Sequence, residues 1–251
     1  MTTTLFTWDG MNAMTVNERL ALPKIHMYAE VGSTLDVAHE MAEQGAPAGT
    51  LIVADAQRAG RGRLGRSWSS QPGRGVWSTI IERPSDTRAL DVLSLRVGLH
   101  CAEACDALAR QTVGVKWPND LVLQSKKLGG ILVEARWAGS SIAWVAIGVG
   151  VNVTAPDHVN TATGMPRGVQ RIDVLAAIVS SVRSAAQERG HLTPDELRRY
   201  ADRHTLTGKR IVSPAVGTVE GVSADGSLIV RTARGVEQLR TGTVQFEGEH
   251  A

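Results

Sequence analysis

The sequence predicts a mixed α/β (α+β) fold closed by a small C-terminal β-rich unit. Three observations carry that expectation. As far as about residue 205, apolar runs at helical spacing alternate with short strand-like runs. Between residues 113 and 153 the strand-like runs are joined by turns too short for a crossover helix, which argues for antiparallel pairs. After Thr207 the helical patterning stops and short β-rich runs take over.

Taken in order, Ser33 and Thr34 place hydroxyls as caps before Leu35, Ala38, Met41 and Ala42, an apolar stripe of one helix. Leu51 to Ala54 reads as a short buried strand that delivers the chain to Gln57, and Gly75 to Ile81 as the strand that returns. Leu90 to Leu108 carries one apolar face through a long helix. Val113 to Trp117 is strand-like and stops at Pro118, which cannot continue a ladder. Leu121 to Leu123, Ile131 to Val133 and Ile142 to Val153 follow as strands, with a polar turn at Gln124 to Lys127. Ile172 to Arg189 and Pro194 to His204 are helical. In the tail, Asp225-Gly226 between β-rich runs is a hairpin cue, and a β-barrel of about forty residues is the natural reading. The expected division is 20–205 and 206–251. Trp77, Trp137 and Trp144 fall in strand-like runs and are assigned to the core, and Cys101 and Cys105 to small core positions.

Lys plus Arg number 27 against 25 acidic residues, a net charge of +2, so no whole-surface attraction to nucleic acid is indicated. No apolar run approaches the ~20 residues that span a bilayer, and the first residues lack the pattern of a secretory signal. The expectation is a cytoplasmic protein. His26, His39, His100 and His204 have no metal-ligand spacing and are assigned to the surface or to ordinary packing. Neither a phosphate loop of the Gly-x-x-x-x-Gly-Lys-Ser/Thr type nor a Gly-x-Ser-x-Gly elbow is present.

Positive charge is concentrated locally. Arg58, Arg61, Arg63 and Arg66 are interleaved with Gly60, Gly62 and Gly65, without an acidic residue among them. Glycine permits close backbone approach to a ligand. Arginine offers a planar fork of donors to phosphate or carboxylate oxygens. Such a loop suits closure over a small anion; the alternative is a flexible basic loop contacting nucleic acid. Lys116, at the end of an apolar strand, is unwelcome there unless it meets an anion, although a snorkelling lysine before a tight turn has the same pattern. Gly129-Gly130 allows either close approach or a strand bend.

The ordered set Ser33-Thr34, Gln57, Gly60-Arg61-Gly62-Arg63, Trp68, Lys116-Trp117-Pro118-Asn119-Asp120, Lys127-Leu128-Gly129-Gly130-Ile131 and Gly148-Val149-Gly150-Val151-Asn152 resembles the biotin protein ligases (biotin–acetyl-CoA-carboxylase ligases). The resemblance runs from about Ser33 to Asn152, and the tail matches that family's small SH3-like domain. It implies a mixed, largely antiparallel sheet related to class II aminoacyl-tRNA synthetases. It also implies ATP with Mg²⁺, biotin as substrate, and a biotin carboxyl carrier domain of an acyl-CoA carboxylase as partner, without DNA or membrane. Lys116 would lie beside the biotin carboxylate and the α-phosphate. Arg61 and Arg63 would fold over the ligand, Arg63 retaining the adenylate. Ser33, Thr34 and Gln57 would place biotin. Trp68 would help close the site, Asn152 would line the nucleotide end, and Gly60, Gly62, Gly129 and Gly130 would allow the backbone to approach. The resemblance names no metal ligand.

Leu35 stands where many members carry asparagine, and Leu64 where some carry arginine. About thirty residues precede Ser33, too few for the winged-helix module of the bifunctional members, so no repressor role is expected. A lipoate- or octanoate-specific ligase and a non-enzymatic nucleic-acid-binding module remain the two rival readings.

Overall fold

Among the described residues, one pair of neighbouring strands in the main sheet runs parallel, and that pair brackets a helix that borders a cavity. The structure, a computed structural model, describes residues 3–4, 7–157 and 159–247. In chain order the elements are β1 (Thr3–Thr4), α1 (Ala13–Leu20), β2 (Lys24–Val31), α2 (Thr34–Glu43), β3 (Thr50–Gln57), β4 (Gly75–Glu82), α3 (Arg88–Ala109), β5 (Gly114–Lys116), β6 (Asp120–Leu123), β7 (Lys126–Ala138) and β8 (Ser141–Asn152). Then follow α4 (Arg171–Gln187), α5 (Pro194–Arg203), β9 (Arg210–Ile211), β10 (Gly217–Val222), β11 (Leu228–Thr232) and β12 (Gly235–Leu239).

The main sheet has the strand order β1-β2-β3-β4-β8-β7-β6-β5. Strands β2 and β3 are parallel, with Val31 opposite Gln57, and every other neighbouring pair is antiparallel. A parallel pair needs a crossover, and α2 supplies it. This is the mixed, largely antiparallel sheet that the sequence predicts.

Alternating residues explain the layers. Ile52, Ile81 and Ala146 point to one face, where they pack with Leu35, Ala38 and Ala42 of α2. Leu51, Val53, Ile80, Val145 and Ile147 point to the other, into the larger core with Val92, Leu99, Cys101 and Cys105 of α3 and Leu175, Ile178 and Val182 of α4. Because β4 lies between the two layers, it is buried along its whole length. Near-continuous apolar runs belong to strands covered on both faces. Burial raises the Cys105 thiol to about 12 and pushes Cys101 up as well, so both are packing groups.

Trp137 departs from the expected core position and is 53% exposed. The reason is strand length. Strand β4 ends at Glu82 opposite Val145, whereas β7 and β8 continue past it as a two-stranded hairpin. Trp144 is half-buried against α2, and Trp77 is buried as expected.

The C-terminal strands form a second sheet in the order β12-β11-β10-β9. All its pairs are antiparallel, and no β9–β12 pairing closes it into a barrel among the described residues. Its Ile211, Val219, Leu228 and Val230 join the larger core. No helix among the described residues is long and apolar enough to cross a membrane.

Candidate active site

The Gly/Arg segment leaves β3 at Gln57 and reaches β4 as a pinned loop. Gln57 N donates to Ser70 O at 3.1 Å and Trp68 N to Gly60 O at 2.8 Å, fixing the base twice. A side chain on Gly60 would run into that Trp68 carbonyl. Nearer the tip, Gly62 N reaches Arg66 O at 2.7 Å. Leu64 forms the tip at φ 56°, in the left-handed region that a leucine rarely adopts, and is largely exposed.

A chain of side-chain hydrogen bonds fastens this base to α2 and the sheet. Ser33 caps α2 by accepting from Leu35 N at 3.3 Å. Thr34 N and Oγ1 both donate to Gln57 Oε1, at 2.8 and 3.1 Å. Thr79 Oγ1 donates to Thr34 Oγ1 at 2.9 Å, and Gln57 Nε2 donates to Ser70 Oγ at 2.8 Å. Thr34 therefore directs both of its donors to Gln57, and Ser33 supplies the cap.

Beside this chain the loop, α2, β4 and β5–β8 enclose one cavity. Its floor is the paired glycines Gly130 and Gly150, on which the indole of Trp68 lies. A Cβ at Gly150 would sit 2.9 Å from that ring, so any side chain there would displace it. Leu35 lies over Gly148 as an apolar wall, 3.2 Å from where a Cβ would stand.

The cavity is strongly cationic on one side. Arg63, Arg66 and Lys116 line it, and none makes an ion pair among the described residues. Lys116 Nζ lies 5.3 Å from the Phe246 ring centroid. Burial, reinforced by the nearby Arg66 and opposed by Asp120, pulls the Arg63 pKa below its ordinary value. Guanidinium stays charged even so, and a bound anion would relieve that cost. Two further cations on the wall are paired. Lys127 Nζ sits 2.7 Å from Asp120 Oδ1 and 5.1 Å from the Trp68 ring, and Arg61 is held by Asp36 and Glu134.

Of the residues singled out from sequence, Ser33, Thr34, Gln57, Arg61, Gly62, Arg63, Trp68, Lys116 and Gly130 line the cavity. Gly60, Gly129 and Asn152 stand behind its wall. Gly129 lets β7 pass close to the Gly150 carbonyl. Asn152 Nδ2 donates to Thr163 O at 3.0 Å, tying down the segment after β8. One contribution had no sequence signal. Gly242, Thr243 and Val244 complete the wall, with Thr243 Oγ1 accepting from Arg66 at 3.1 Å and Thr241 Oγ1 from Arg63 at 3.5 Å.

The model of the Biotin/lipoate A/B protein ligase family matches residues 30–152, the span that carries the loop, Lys116 and both glycine pairs. The bifunctional ligase/repressor BirA of Bacillus spizizenii is 30% identical over 234 residues, 86% of this chain and 72% of that protein. The chain belongs to this family of ligases. The biotin--[acetyl-CoA-carboxylase] ligase of Paracoccus denitrificans is 29% identical over 245 residues, 88% of this chain and all of that protein. Among solved structures, the biotin protein ligase of Leishmania major in complex with biotinyl-5-AMP superposes with a TM-score of 0.61 at 29% identity, covering 86% of this ligase and 98% of that chain. In the ligase the matched span supplies most of the cavity wall, and the C-terminal segment closes the remainder.

Proposed function

We propose that the cavity activates biotin with ATP to biotinyl-5′-AMP and then transfers biotin to a lysine of a biotin carboxyl carrier domain of an acyl-CoA carboxylase. The observation that carries this reading is the meeting, in one cavity, of three cations that make no ion pair among the described residues and a wall of small, apolar and hydroxyl-bearing residues. The cations suit phosphate and carboxylate; the wall suits a compact, mostly apolar acid.

In the first step a biotin carboxylate oxygen attacks the α-phosphorus of ATP, and the bond to the β-phosphate oxygen breaks to release pyrophosphate. Charge grows on the phosphoryl oxygens, where fixed cations help most. Lys116 is assigned to the carboxylate and α-phosphate, and Arg63 to retention of the adenylate. In the second step the acceptor amine attacks the acyl carbon, the acyl–oxygen bond breaks, AMP leaves and the amine loses a proton. Ser33, Thr34 and Gln57 are assigned to biotin, Trp68 to closing the site, and Asn152 to the nucleotide end. Residues 20–205 form the catalytic unit in this reading, residues 206–251 the SH3-like C-terminal unit that lends Gly242, Thr243 and Val244 to the cavity wall, and the enzyme works in the cytoplasm.

Mg²⁺ accompanies ATP here. Asp120 is the carboxylate on the cavity wall, and no group of three metal-ligating side chains occurs among the described residues. That donor set fits an ion held mostly by phosphate and water.

Biotin-dependent exchange of labelled pyrophosphate into ATP, with lipoate as control, tests the reading. Exchange with biotin alone supports it, because polar groups arranged for a ureido ring would be left unpaired by a plain acyl chain. Exchange with lipoate alone, or with neither acid, overturns it.

A further inference from the structure

Four side chains from three elements converge on Arg61, and the reaction described above uses none of them. Trp144 Nε1 on β8 donates to His39 Nδ1 on α2 at 3.0 Å. An indole N–H can only donate, so Nδ1 is the accepting nitrogen and Nε2 carries the hydrogen. That Nε2 lies 2.8 Å from Glu134 Oε2 on β7. The same carboxylate oxygen accepts from Arg61 Nη2 at 3.2 Å, and Asp36 Oδ1 on α2 lies 2.9 Å from that Nη2. Exposure rises stepwise outward, from 9% for the His39 side chain to 21% for Glu134 and 38% for Arg61.

A histidine that only filled space on α2 would not commit both ring nitrogens. Here one is fixed by the indole, and the other fixes a carboxylate. Glu134 thus presents a held oxygen to Arg61, whereas Arg63 and Arg66 are met by threonine hydroxyls. With two carboxylates on a single Nη2, the charge of Arg61 is already offset, and what it retains is its place. Its Nε and Nη1 make no hydrogen bond among the described residues, and Arg61 borders both the main cavity and a second hollow that Leu132 and Glu134 also line.

We propose that Glu134, oriented by His39, is a positioning residue that aims the remaining donors of Arg61 into the cavity and so sets affinity for the acid. The inference rests on the reading that the acid binds there. Holding a group in one productive pose is worth more than its charge alone.

A double-mutant cycle on half-saturating biotin in pyrophosphate exchange tests it, with wild type, Glu134→Gln, Arg61→Ala and the double variant all checked for unchanged melting. Glu134→Gln is expected to raise half-saturating biotin about tenfold with little change in maximal rate. In the Arg61→Ala background the same change should have no further effect. His39→Leu should act in the same direction, more weakly, and also fall silent without Arg61. If Glu134→Gln does not fold, Glu134→Asp, which withdraws the carboxylate by one methylene, serves in its place. Wild-type saturation in the Glu134 variant, or losses that multiply in the double variant, would overturn the proposal. A wild-type enzyme inactive with biotin would instead strike the parent reading, and the inference would fall with it.

Discussion

Trp117 Nε1 donates to the main-chain carbonyl of Gly226 at 2.9 Å, across a buried contact between the strand that carries Lys116 and the β10–β11 turn of the C-terminal sheet. Gly226 has φ 84°, and a Cβ there would stand 2.9 Å from Leu95 Cδ1 on α3. The turn therefore presses directly on α3 and on the residue after Lys116. Trp117→Phe keeps most of the ring but leaves that carbonyl unpaired, at about 1–3 kcal/mol. Urea unfolding should report a loss in that range, and an unchanged midpoint would show the bond to be dispensable.

Lys116→Ala should reduce pyrophosphate exchange by about a hundredfold or more while leaving thermal unfolding nearly unchanged, because Lys116 makes no ion pair among the described residues. Full exchange by the variant would contradict its assignment.

Arg63→Gly should speed escape of the adenylate. The guanidinium borders the cavity and is partly buried, so its removal opens the wall as well as subtracting charge. Trapping released biotinyl-5′-AMP after a single turnover reads the off-rate directly, and a rate equal to wild type would exclude a retaining role.

Ligand should also order the pinned loop. Amide exchange at residues 61–67 is expected to slow when biotin and ATP are added, since the loop is exposed and fastened chiefly at its base. Equal exchange with and without ligand would mean that the loop does not act as a lid.

His204 links stability to pH. Burial, aided by Lys209, pulls its pKa from 6.5 to about 4, and its Nδ1 bonds Thr207 Oγ1 at 2.9 Å. The unfolded chain takes up the proton near pH 6.5, whereas the folded chain refuses it until about pH 4. The associated stability is fully present above pH 6.5 and is lost as pH falls toward 4, about 3 kcal/mol in all. His204→Gln should flatten this part of the stability–pH curve. A variant curve parallel to wild type would assign the acid sensitivity to other groups.

How far the sequence was legible depended on range. The Gly/Arg loop and the apolar strand before Lys116 announce themselves within a dozen residues, because composition alone sets their chemistry. The sheet was legible from its turns. Thr241 and Thr243 were not: they lie 178 and 177 residues from the arginines they meet, and a threonine on a tail looks like any other. His39 and Glu134 are 95 residues apart, and only the packing of α2 on the sheet joins them. Trp137 was misplaced because periodicity marks a strand but not where its neighbour ends. The C-terminal sheet was legible in its strands, but closure into a barrel was not. Alternation identifies strands, whereas closure depends on a pairing between the first and the last.

The parallel pairing of β2 with β3 sets a direction of travel. Since both strands run the same way, the helix between them must start where β2 finishes, and β3 must end beside that same point. Thr34 and Gln57 are therefore brought together by the path of the chain itself. Lengthening α2 or its return loop would leave their meeting intact, whereas a one-residue slip between the strands would turn Gln57 to the opposite face. Variation in the family can accordingly be tolerated in the helix body far more readily than in the register of these two strands.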